Sequence, residues 1–321
     1  MHLKENVLKS LEECRGGYLS GEELAEKFGV SRNAVWKAVK ALRKDGYEIL
    51  SAVNRGYVLS EGNDLLSEGG IQKYLRGDGY RLTLLKSAGS TNDEAKKIAE
   101  AGGAEWSAVI AEEQTAGRGR YARPFYSPKG EGLYISILLR PKFPAAETLF
   151  ITTSAAVAVC EAIEAVSGQS AQIKWVNDVL IGGKKVCGIL TEASFSVENG
   201  GLSYAVVGIG VNVREQSFPP ELQGIAASVF GKNYPPEGRA RIAAEILNRF
   251  RGYYEKIPER AFFNEYKRRS AVLGKRVRVL SGNLQGDATV LDLDENCFLK
   301  VRFDDGTERL LSSGEVSVKI Q

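Results

Sequence analysis

Apolar residues recur at helical spacing through the first part of the chain. Val7, Leu8 and Leu11 would lie on one face of a first helix. Ser20 followed by Glu23 is the capping-box pattern that begins a second, shorter helix. Each of these short helices has one apolar stripe to bury, so the pattern predicts a small helical unit with its own core.

A third helix and a hairpin complete this unit. Ser31 is the expected N-cap of a helix over 32–45, and Gly46 is its expected stop. Strand-like runs then flank residues 54–56 (Asn-Arg-Gly), a hairpin signal. Three helices and a hairpin predict a winged helix-turn-helix domain over 1–60, whose third helix enters a DNA major groove. The residues expected to contact DNA are Ser31, Arg32, Asn33, Trp36, Lys37, Lys40 and Arg55.

The charge of this segment leaves a second interpretation open. Residues 1–60 contain ten Lys and Arg against eight Asp and Glu, a net charge of only +2. A small protein-interaction domain with a solvated basic face would have the same composition. The order of caps, turn and wing favours DNA binding, because composition alone does not distinguish the two.

The pattern of predicted strands and helices changes twice after residue 60. After a linker over 60–66, strand-like and helical segments alternate over 67–270, which predicts a mixed α/β domain of the α+β class. Residues 271–321 contain only short alternating strands, with a hairpin signal at Asp305 and Gly306. We expect a small SH3-like β-barrel there, and therefore a multidomain α+β protein.

Composition narrows the chemistry. The single histidine is His2, so Ser-His-Asp, Cys-His and His-rich metal sites are excluded. The four cysteines are scattered and predict free thiols. A net charge of +3, no signal peptide and no long uncharged apolar run predict a cytoplasmic protein with no membrane partner.

Residues 114–128, QTAGRGRYARPFYSP, form a cationic, glycine-rich segment, here called the arginine loop. Gly117, Gly119 and Ala122 match the spacing of a dinucleotide fingerprint, but Pro124 and Pro128 prevent the helix that such a site needs. No P-loop pattern occurs in the chain. We expect a mobile loop whose arginines close over a phosphate. The alternative is a solvated basic loop.

Two further segments have residues that are unusual in strands: polar side chains around a hairpin and glycines inside an apolar strand. KWVNDVLIGGKKVCGIL predicts a hairpin turning at 182–183, with Lys174, Asn177, Asp178 and Lys185 on or beside it. VVGIGVN has two glycines inside an apolar strand, which suits close approach of a ligand or a simple bulge. Lys184 and Lys185 could equally be solvated turn residues.

Together these segments resemble a known family. GSTNDEA, EEQTAGRGRYARPFYSP, KWVNDVLIGGKKVCGILTE and VVGIGVNV are similar to the signature segments of biotin protein ligases. With the winged helix-turn-helix in front, the chain resembles their bifunctional bacterial form along its whole length. It departs from the family pattern at Val176, usually Pro, at Ala122, often Gly, and at Phe125, often Trp.

The resemblance implies a reaction in two steps. Biotin and ATP form biotinoyl-5′-AMP with Mg²⁺, and a lysine of the biotin carboxyl carrier protein then accepts the biotin. It implies biotin-binding residues Ser90, Thr91, Asn92, Gln114, Arg118, Gly119, Arg120, Lys185, Gly188 and Gly208. The implied ATP-binding residues are Arg118, Arg120, Arg123, Asn177, Lys185 and Asn212, and the implied catalytic residues are Lys185, Arg118, Arg120 and Asp178. It assigns no protein ligands to the metal.

Regulation follows from the same resemblance. A DNA-binding domain on an enzyme implies repression of biotin genes at an operator, with a homodimer forming when biotinoyl-AMP is bound. Two alternatives remain. A lipoate-type ligase or octanoyl transferase would use related chemistry, the transferase needing a reactive cysteine, for which Cys187 has no thiolate-stabilising context. A ligand-responsive repressor without catalysis would not need Lys185 or the arginine loop.

Overall fold

A computed structural model describes residues 3–62, 64–195, 201–215, 217–281 and 284–318. The chain divides into two compact units. One comprises residues up to 75 together with 234–241, and the other comprises 76–233 together with the residues from 242 onward. His2, and the end of the last predicted strand beyond 318, lie outside the described residues.

The first unit contains the three helices and the hairpin predicted for a winged helix-turn-helix, followed by a fourth helix. They are α1 (Leu3–Glu13), α2 (Gly21–Phe28), α3 (Arg32–Lys44), β1 (Ile49–Ala52), β2 (Gly56–Leu59) and α4 (Glu68–Gln72). The caps form as predicted: Ser20 Oγ accepts from Glu23 N at 3.0 Å, and Ser31 Oγ accepts from Ala34 N at 3.2 Å. The apolar stripes of α1, α2 and α3 pack into one core with residues of β1 and β2. The short helix α4 was not predicted.

A buried charged cluster joins the segment 234–241 to this unit. The Glu237 carboxylate accepts from Tyr74 Oη at 2.6 Å and from Lys73 Nζ at 3.0 Å, and Arg15 Nε lies 3.2 Å from it. Burial alone would raise the pKa of Glu237, but these donors outweigh burial and hold the pKa below its ordinary value. The carboxylate is therefore a fixed negative charge that ties three chain segments together.

The second unit is built on a mixed seven-stranded sheet. Its strands are β3 (Arg81–Leu85), β4 (Ser107–Ala111), β5 (Gly132–Leu139), β6 (Gln172–Lys174), β7 (Asp178–Ile181), β8 (Lys184–Phe195) and β9 (Leu202–Asn212). They are ordered β3-β4-β5-β9-β8-β7-β6, and only β3 and β4 pair in parallel. Every residue of β4 and β5 is buried, which explains their continuous apolar sequence. The predicted hairpin joins β7 to β8 through Gly182 and Gly183.

Four helices complete the described part of the unit. They are α5 (Thr91–Glu100), α6 (Thr148–Ser167), α7 (Gly238–Tyr254), which begins in the first unit, and α8 (Phe263–Arg268). The run Ala145–Ser167 is long and apolar enough to cross a membrane by composition, but two thirds of its most apolar window is buried inside the protein. It packs on β6, β7, β8 and α8 as a core helix.

The C-terminal strands form an antiparallel sheet. They are β10 (Arg276–Ser281), β11 (Leu284–Leu293), β12 (Leu299–Phe303), β13 (Glu308–Leu311) and β14 (Glu315–Val318), in the order β13-β12-β11-β10-β14. The hairpin predicted at Asp305 and Gly306 joins β12 to β13. Within the described residues β13 and β14 are edge strands and do not pair, so the sheet is open and the SH3-like barrel stays a prediction.

Candidate functional site

The second unit contains a cavity of about 360 Å³. The start of α5, the arginine loop, the β7–β8 hairpin, β9 and β14 all contribute to its wall. It is large enough for a small-molecule ligand. The residues singled out in the sequence that line this cavity include Lys174 and all the implied binding and catalytic residues except Asn212, namely Ser90, Thr91, Asn92, Gln114, Arg118, Gly119, Arg120, Arg123, Asn177, Asp178, Lys185, Gly188 and Gly208.

Asn212 differs from the other residues named for the site. It is buried at the end of β9, and its amide donates to the Ala227 carbonyl at 3.3 Å. It is not among the residues that line the cavity, because its position in β9 directs it to a neighbouring loop.

A network of uncharged polar groups forms one end of the cavity. Gln114 Oε1 accepts from Thr91 N at 2.9 Å and from Thr91 Oγ1 at 3.0 Å. Ser136 Oγ contacts Thr91 Oγ1 at 2.7 Å and Asn92 Oδ1 at 2.6 Å. These buried contacts fix the side chains in orientation, so this end can recognise a neutral polar ligand group by hydrogen bonding. Ser90 lies at the N-cap position of α5, but its side chain makes no capping bond.

The glycines of β8 and β9 leave room for neighbouring side chains. A Cβ on Gly208 would collide with Asn92, and a Cβ on Gly210 would collide with the Phe125 ring. At Gly188 a Cβ would lie 3.1 Å from Lys185 Nζ and 3.2 Å from Phe125. Gly208 and Gly210, the two glycines of VVGIGVN, therefore allow close packing of the groups that form the cavity wall. They do not mark a bulge.

Each arginine of the loop already has a partner. Arg118 makes a double hydrogen bond to Asp93, with Nη1 at 2.8 Å. Arg120 donates to Asn177 Oδ1 at 3.1 Å and to the Gly314 carbonyl at 3.0 Å. The remaining one, Arg123, pairs with a carboxylate of β14, Glu315 Oε2, at 3.0 Å. The loop is therefore held over the cavity and is not a freely solvated basic segment.

The loop backbone is strained beside these arginines. Tyr121 and Ala122 have φ angles of 57° and 56°, in the left-handed region that favours glycine. A 3₁₀ turn over Arg120–Ala122 includes both. The alanine at 122, where the resembling family often has glycine, therefore occupies a conformation that costs it energy.

The β7–β8 hairpin supplies a further cation. Lys185 Nζ lies 2.7 Å from Asp178 Oδ1, and both side chains are partly buried. Asn177 donates to the Ile189 carbonyl at 2.8 Å, which fixes it beneath Arg120. Lys185 is thus a positive charge held at the cavity wall, as a group that stabilises developing negative charge must be.

Ionisation near the cavity has clear causes. The hydrogen bond from Arg118 holds the pKa of Asp93 below its ordinary value, and the same bond raises the pKa of Arg118. Burial raises the pKa of the Cys187 thiol well above its ordinary value. Cys187 is therefore a thiol at neutral pH, which disfavours thiolate-dependent acyl transfer.

Several residues of the site were missed by sequence reasoning. Glu192 accepts from Asn92 at 2.7 Å and from Lys96 at 2.6 Å, below the polar end of the cavity. Phe125 and Gly210 line the wall, as do Glu315, Val316 and Ser317 of β14. The paired glycines of VVGIGVN could have suggested Gly210, whereas nothing in the C-terminal strand pattern distinguishes the β14 residues from other strand residues.

In the first unit, α3 has a basic, exposed face. Arg32, Asn33, Lys37 and Lys40 are exposed, while Val35 and Val39 are buried on the opposite side. Trp36 is 48% exposed on the same face, and Lys40 Nζ lies 5.1 Å from its ring centre. At the hairpin, the Arg55 guanidinium stacks over Tyr18 at 4.1 Å. Ser31 caps this helix through its side chain.

Comparison with known proteins finds three family models that match successive parts of the chain. Models of the HTH domain, the Biotin/lipoate A/B protein ligase family and the Biotin protein ligase C terminal domain match residues 4–58, 84–212 and 272–319. The chain is similar to biotin protein ligase from Aquifex aeolicus in complex with biotin and ATP. That match has a TM-score of 0.62 and 28% identity, covering 75% of this chain and 99% of that one.

The fold and the cavity define a ligase of the biotin/lipoate class behind a DNA-binding domain. The chain is 34% identical to the bifunctional ligase/repressor BirA of Bacillus spizizenii, over 97% of each protein. It is 27% identical to the Escherichia coli protein of the same name, over 95% of this chain and 94% of that protein. The chain belongs to the family of bifunctional biotin ligases and repressors.

Proposed function

We propose that this chain is an ATP-dependent biotin–[acetyl-CoA-carboxylase] ligase and a biotin-responsive repressor of biotin genes, acting in the cytoplasm. The observation that supports the ligase most directly is the composition of one cavity wall. Arg118, Arg120 and Lys185 line the cavity together with the uncharged amide and hydroxyl groups of Thr91, Asn92 and Gln114. Such a cavity suits a ligand with a neutral polar head and an anionic end.

The first step joins biotin to AMP. The carboxylate oxygen of biotin attacks the α-phosphorus of ATP, the bond to the β-phosphate oxygen breaks, and pyrophosphate leaves. We assign the ureido end of biotin to Ser90, Thr91, Asn92 and Gln114, with Gly188 and Gly208 beside the ring. Arg118, with the Gly119 backbone, and Arg120 would orient the carboxylate and phosphate, and Lys185 would stabilise charge on the phosphate.

The second step transfers biotin. The amine of a lysine on the biotin carboxyl carrier protein attacks the acyl carbon, the bond to the phosphate oxygen breaks, and AMP leaves. Asp178, which lines the cavity beside Lys185, is proposed to assist removal of a proton from the incoming amine. Arg123 and Asn177 are assigned to the nucleotide, whereas Asn212, which the resemblance also implies for ATP, does not line the cavity.

Mg²⁺ is proposed to enter with ATP. The carboxylates of Asp178 and Glu315 line the cavity, and no cluster of three or more His, Cys, Asp or Glu occurs among the residues described. Both carboxylates are paired with cations, Asp178 with Lys185 and Glu315 with Arg123, so the donors assigned to the magnesium ion are the phosphates of ATP. The ion would supply neutralisation of phosphate charge.

Domain assignment and assembly are part of the same proposal. We assign DNA binding to 1–60, catalysis to 67–270 and an SH3-like barrel to 271–321. The helix-turn-helix would bind operator DNA through Ser31, Arg32, Asn33, Trp36, Lys37, Lys40 and Arg55. Biotinoyl-AMP would promote a homodimer. The homodimer would bind DNA more tightly, because two DNA-binding domains double the phosphate contacts and fix the spacing of half-sites.

Label transfer tests the enzymatic function. The chain is incubated with ATP, Mg²⁺, a biotin carboxyl carrier domain and either biotin, lipoate or octanoate, and the mass of the carrier is measured. We expect addition of biotin at one lysine, with none on a carrier whose acceptor lysine is replaced by arginine. Transfer of lipoate or octanoate in preference to biotin, or no transfer at all, would contradict the proposal.

A further inference from the structure

The exposed face of α3 contains one large apolar side chain among cations. Val35, Ala38, Val39 and Leu42 are buried, which fixes the rotation of the helix and directs Trp36 outward. About half of the Trp36 surface is accessible to solvent. The exposed indole is therefore available for contact with a partner of this helix face.

The indole is flanked by positive charge. Lys40 Nζ lies 5.1 Å from the ring centre, within the range of a cation–π contact, which restricts the ring. Arg32, Asn33 and Lys37 occupy the same exposed face. An apolar protein surface would offer no negative charge to pair with these cations, whereas DNA presents phosphates on both sides of each groove. The charge of the face, together with the match of residues 4–58 to the HTH domain, favours nucleic acid as the partner.

We propose that Trp36 recognises thymine, through contact between its indole ring and the 5-methyl group of a thymine base in the major groove. This inference rests on the proposed DNA-binding function. Thymine is the base that presents an apolar group in that groove, while the others present hydrogen-bond donors and acceptors. The indole supplies an apolar surface at this position, with Lys37 and Lys40 available to the adjacent phosphates. Trp36 then contributes sequence preference, and its cationic neighbours contribute affinity for any duplex.

The test begins with selection of a DNA sequence. Full-length protein, with biotin, ATP and Mg²⁺ present, is used to enrich duplexes from a random pool. Each thymine of the enriched duplex is then replaced in turn by deoxyuridine, which differs only in lacking the 5-methyl group. Affinity is measured for wild type, Trp36→Ala, Trp36→Gln and, as a matched control, Lys37→Ala. Thermal unfolding of every variant is measured alongside.

For wild type we expect deoxyuridine at one thymine of each half-site to weaken binding about fourfold, the value of one buried methyl group. Trp36→Ala and Trp36→Gln should bind the thymine duplex more weakly and should lose the discrimination against deoxyuridine. Lys37→Ala should weaken both duplexes by the same factor. A Trp36→Phe variant, which keeps an aromatic face, should retain part of the discrimination and guards against misfolding of the other two.

Two different failures can be told apart. Wild type binding thymine and deoxyuridine duplexes equally at every position, or Trp36→Ala keeping the discrimination, would overturn the role of Trp36 and leave DNA binding intact. A pool from which no duplex is enriched would contradict the DNA-binding part of the proposed function, and this inference with it.

Discussion

The cations of the cavity and the cations of α3 are held in opposite ways. Around the cavity, Arg118 is paired with Asp93, Arg123 with Glu315 and Lys185 with Asp178, at distances of 2.5 to 3.0 Å. On α3, Arg32 reaches its nearest carboxylate, Glu22, only at 4.0 Å, and both side chains are largely exposed. Within the described part of the chain, Lys37 and Lys40 form no ion pair.

The difference fits two different roles of positive charge, catalysis in the cavity and attraction of DNA by the helix. Partnered cations are fixed in direction before a ligand arrives, which favours catalysis that depends on geometry. Exposed cations without a close carboxylate attract a polyanion from any direction, and their effect is screened by salt. The comparison therefore predicts large, position-specific effects in the cavity and smaller, salt-dependent effects on the helix.

The largest effect is expected at Lys185. Lys185→Ala removes a fixed charge beside the phosphate, and we expect adenylate formation to slow by about a hundredfold or more. Biotin binding, measured by calorimetry, should fall much less. Lys184→Ala removes an exposed lysine from the adjacent position and serves as the control. Near-normal adenylate formation by the Lys185 variant would remove this residue from the mechanism.

Arg120 should control retention of the intermediate. Arg120→Gly removes the bonds to Asn177 and Gly314 that hold the loop over the cavity. The loss of one such charged hydrogen bond corresponds to about tenfold faster release of biotinoyl-AMP. Released adenylate would label lysines of a bystander protein, which mass spectrometry detects. If labelling does not exceed that of wild type, the loop is not a lid.

Loss of a single cation from α3 should weaken DNA binding modestly, and by a similar factor for different DNA sequences. Lys37→Ala should weaken binding to an enriched duplex a few-fold and reduce the slope of log affinity against log salt by about one. Lys9→Ala, on the exposed side of α1, is the control. An unchanged salt slope would place Lys37 away from the phosphates.

The smallest effect concerns the pairing of Arg118. Because Asp93 and Arg118 are both partly exposed, Asp93→Asn should lower the free energy of unfolding by less than about 1 kcal/mol at pH 7. The folded pKa of Asp93 lies below its ordinary value of 3.8, so this contribution is complete above that pH and is lost as the pH falls through the folded pKa. Urea unfolding should therefore show the two proteins converging in acid.

Asp78→Asn provides the control for this comparison, since Asp78 is exposed and makes no ion pair among the described residues. A difference between wild type and Asp93→Asn that persists unchanged at low pH would mean that the ion pair is not its source.

The local pattern of the sequence was sufficient for most of the elements. Caps at Ser20 and Ser31 and turns at Gly182–Gly183 and Asp305–Gly306 are determined by neighbouring residues, and the structure has them. The short helices α4 and α8 were not predicted, because five or six residues give too little periodicity. The C-terminal sheet is open within the described residues, so the SH3-like barrel stays a prediction.

For the site, the sequence could name residues but not their partners. Arg118, Arg120 and Lys185 stood out by their motifs, yet their pairing with Asp93, Gly314 and Asp178 depends on how distant strands meet. Glu192 was missed because a single carboxylate on a strand has no distinctive pattern. Asn212 was included because the family resemblance implied it, and only the register of β9 places it beside Ala227.

The most direct test of the account is whether the cavity controls the helix. Sedimentation and titration with an enriched duplex are compared for the free protein and with biotin, ATP or biotinoyl-AMP. The account predicts that biotinoyl-AMP promotes dimerisation and tightens DNA binding more than either substrate alone, and that the duplex in turn slows release of the adenylate. Equal dimerisation and equal DNA affinity with and without biotinoyl-AMP would contradict it, leaving two independent activities on one chain.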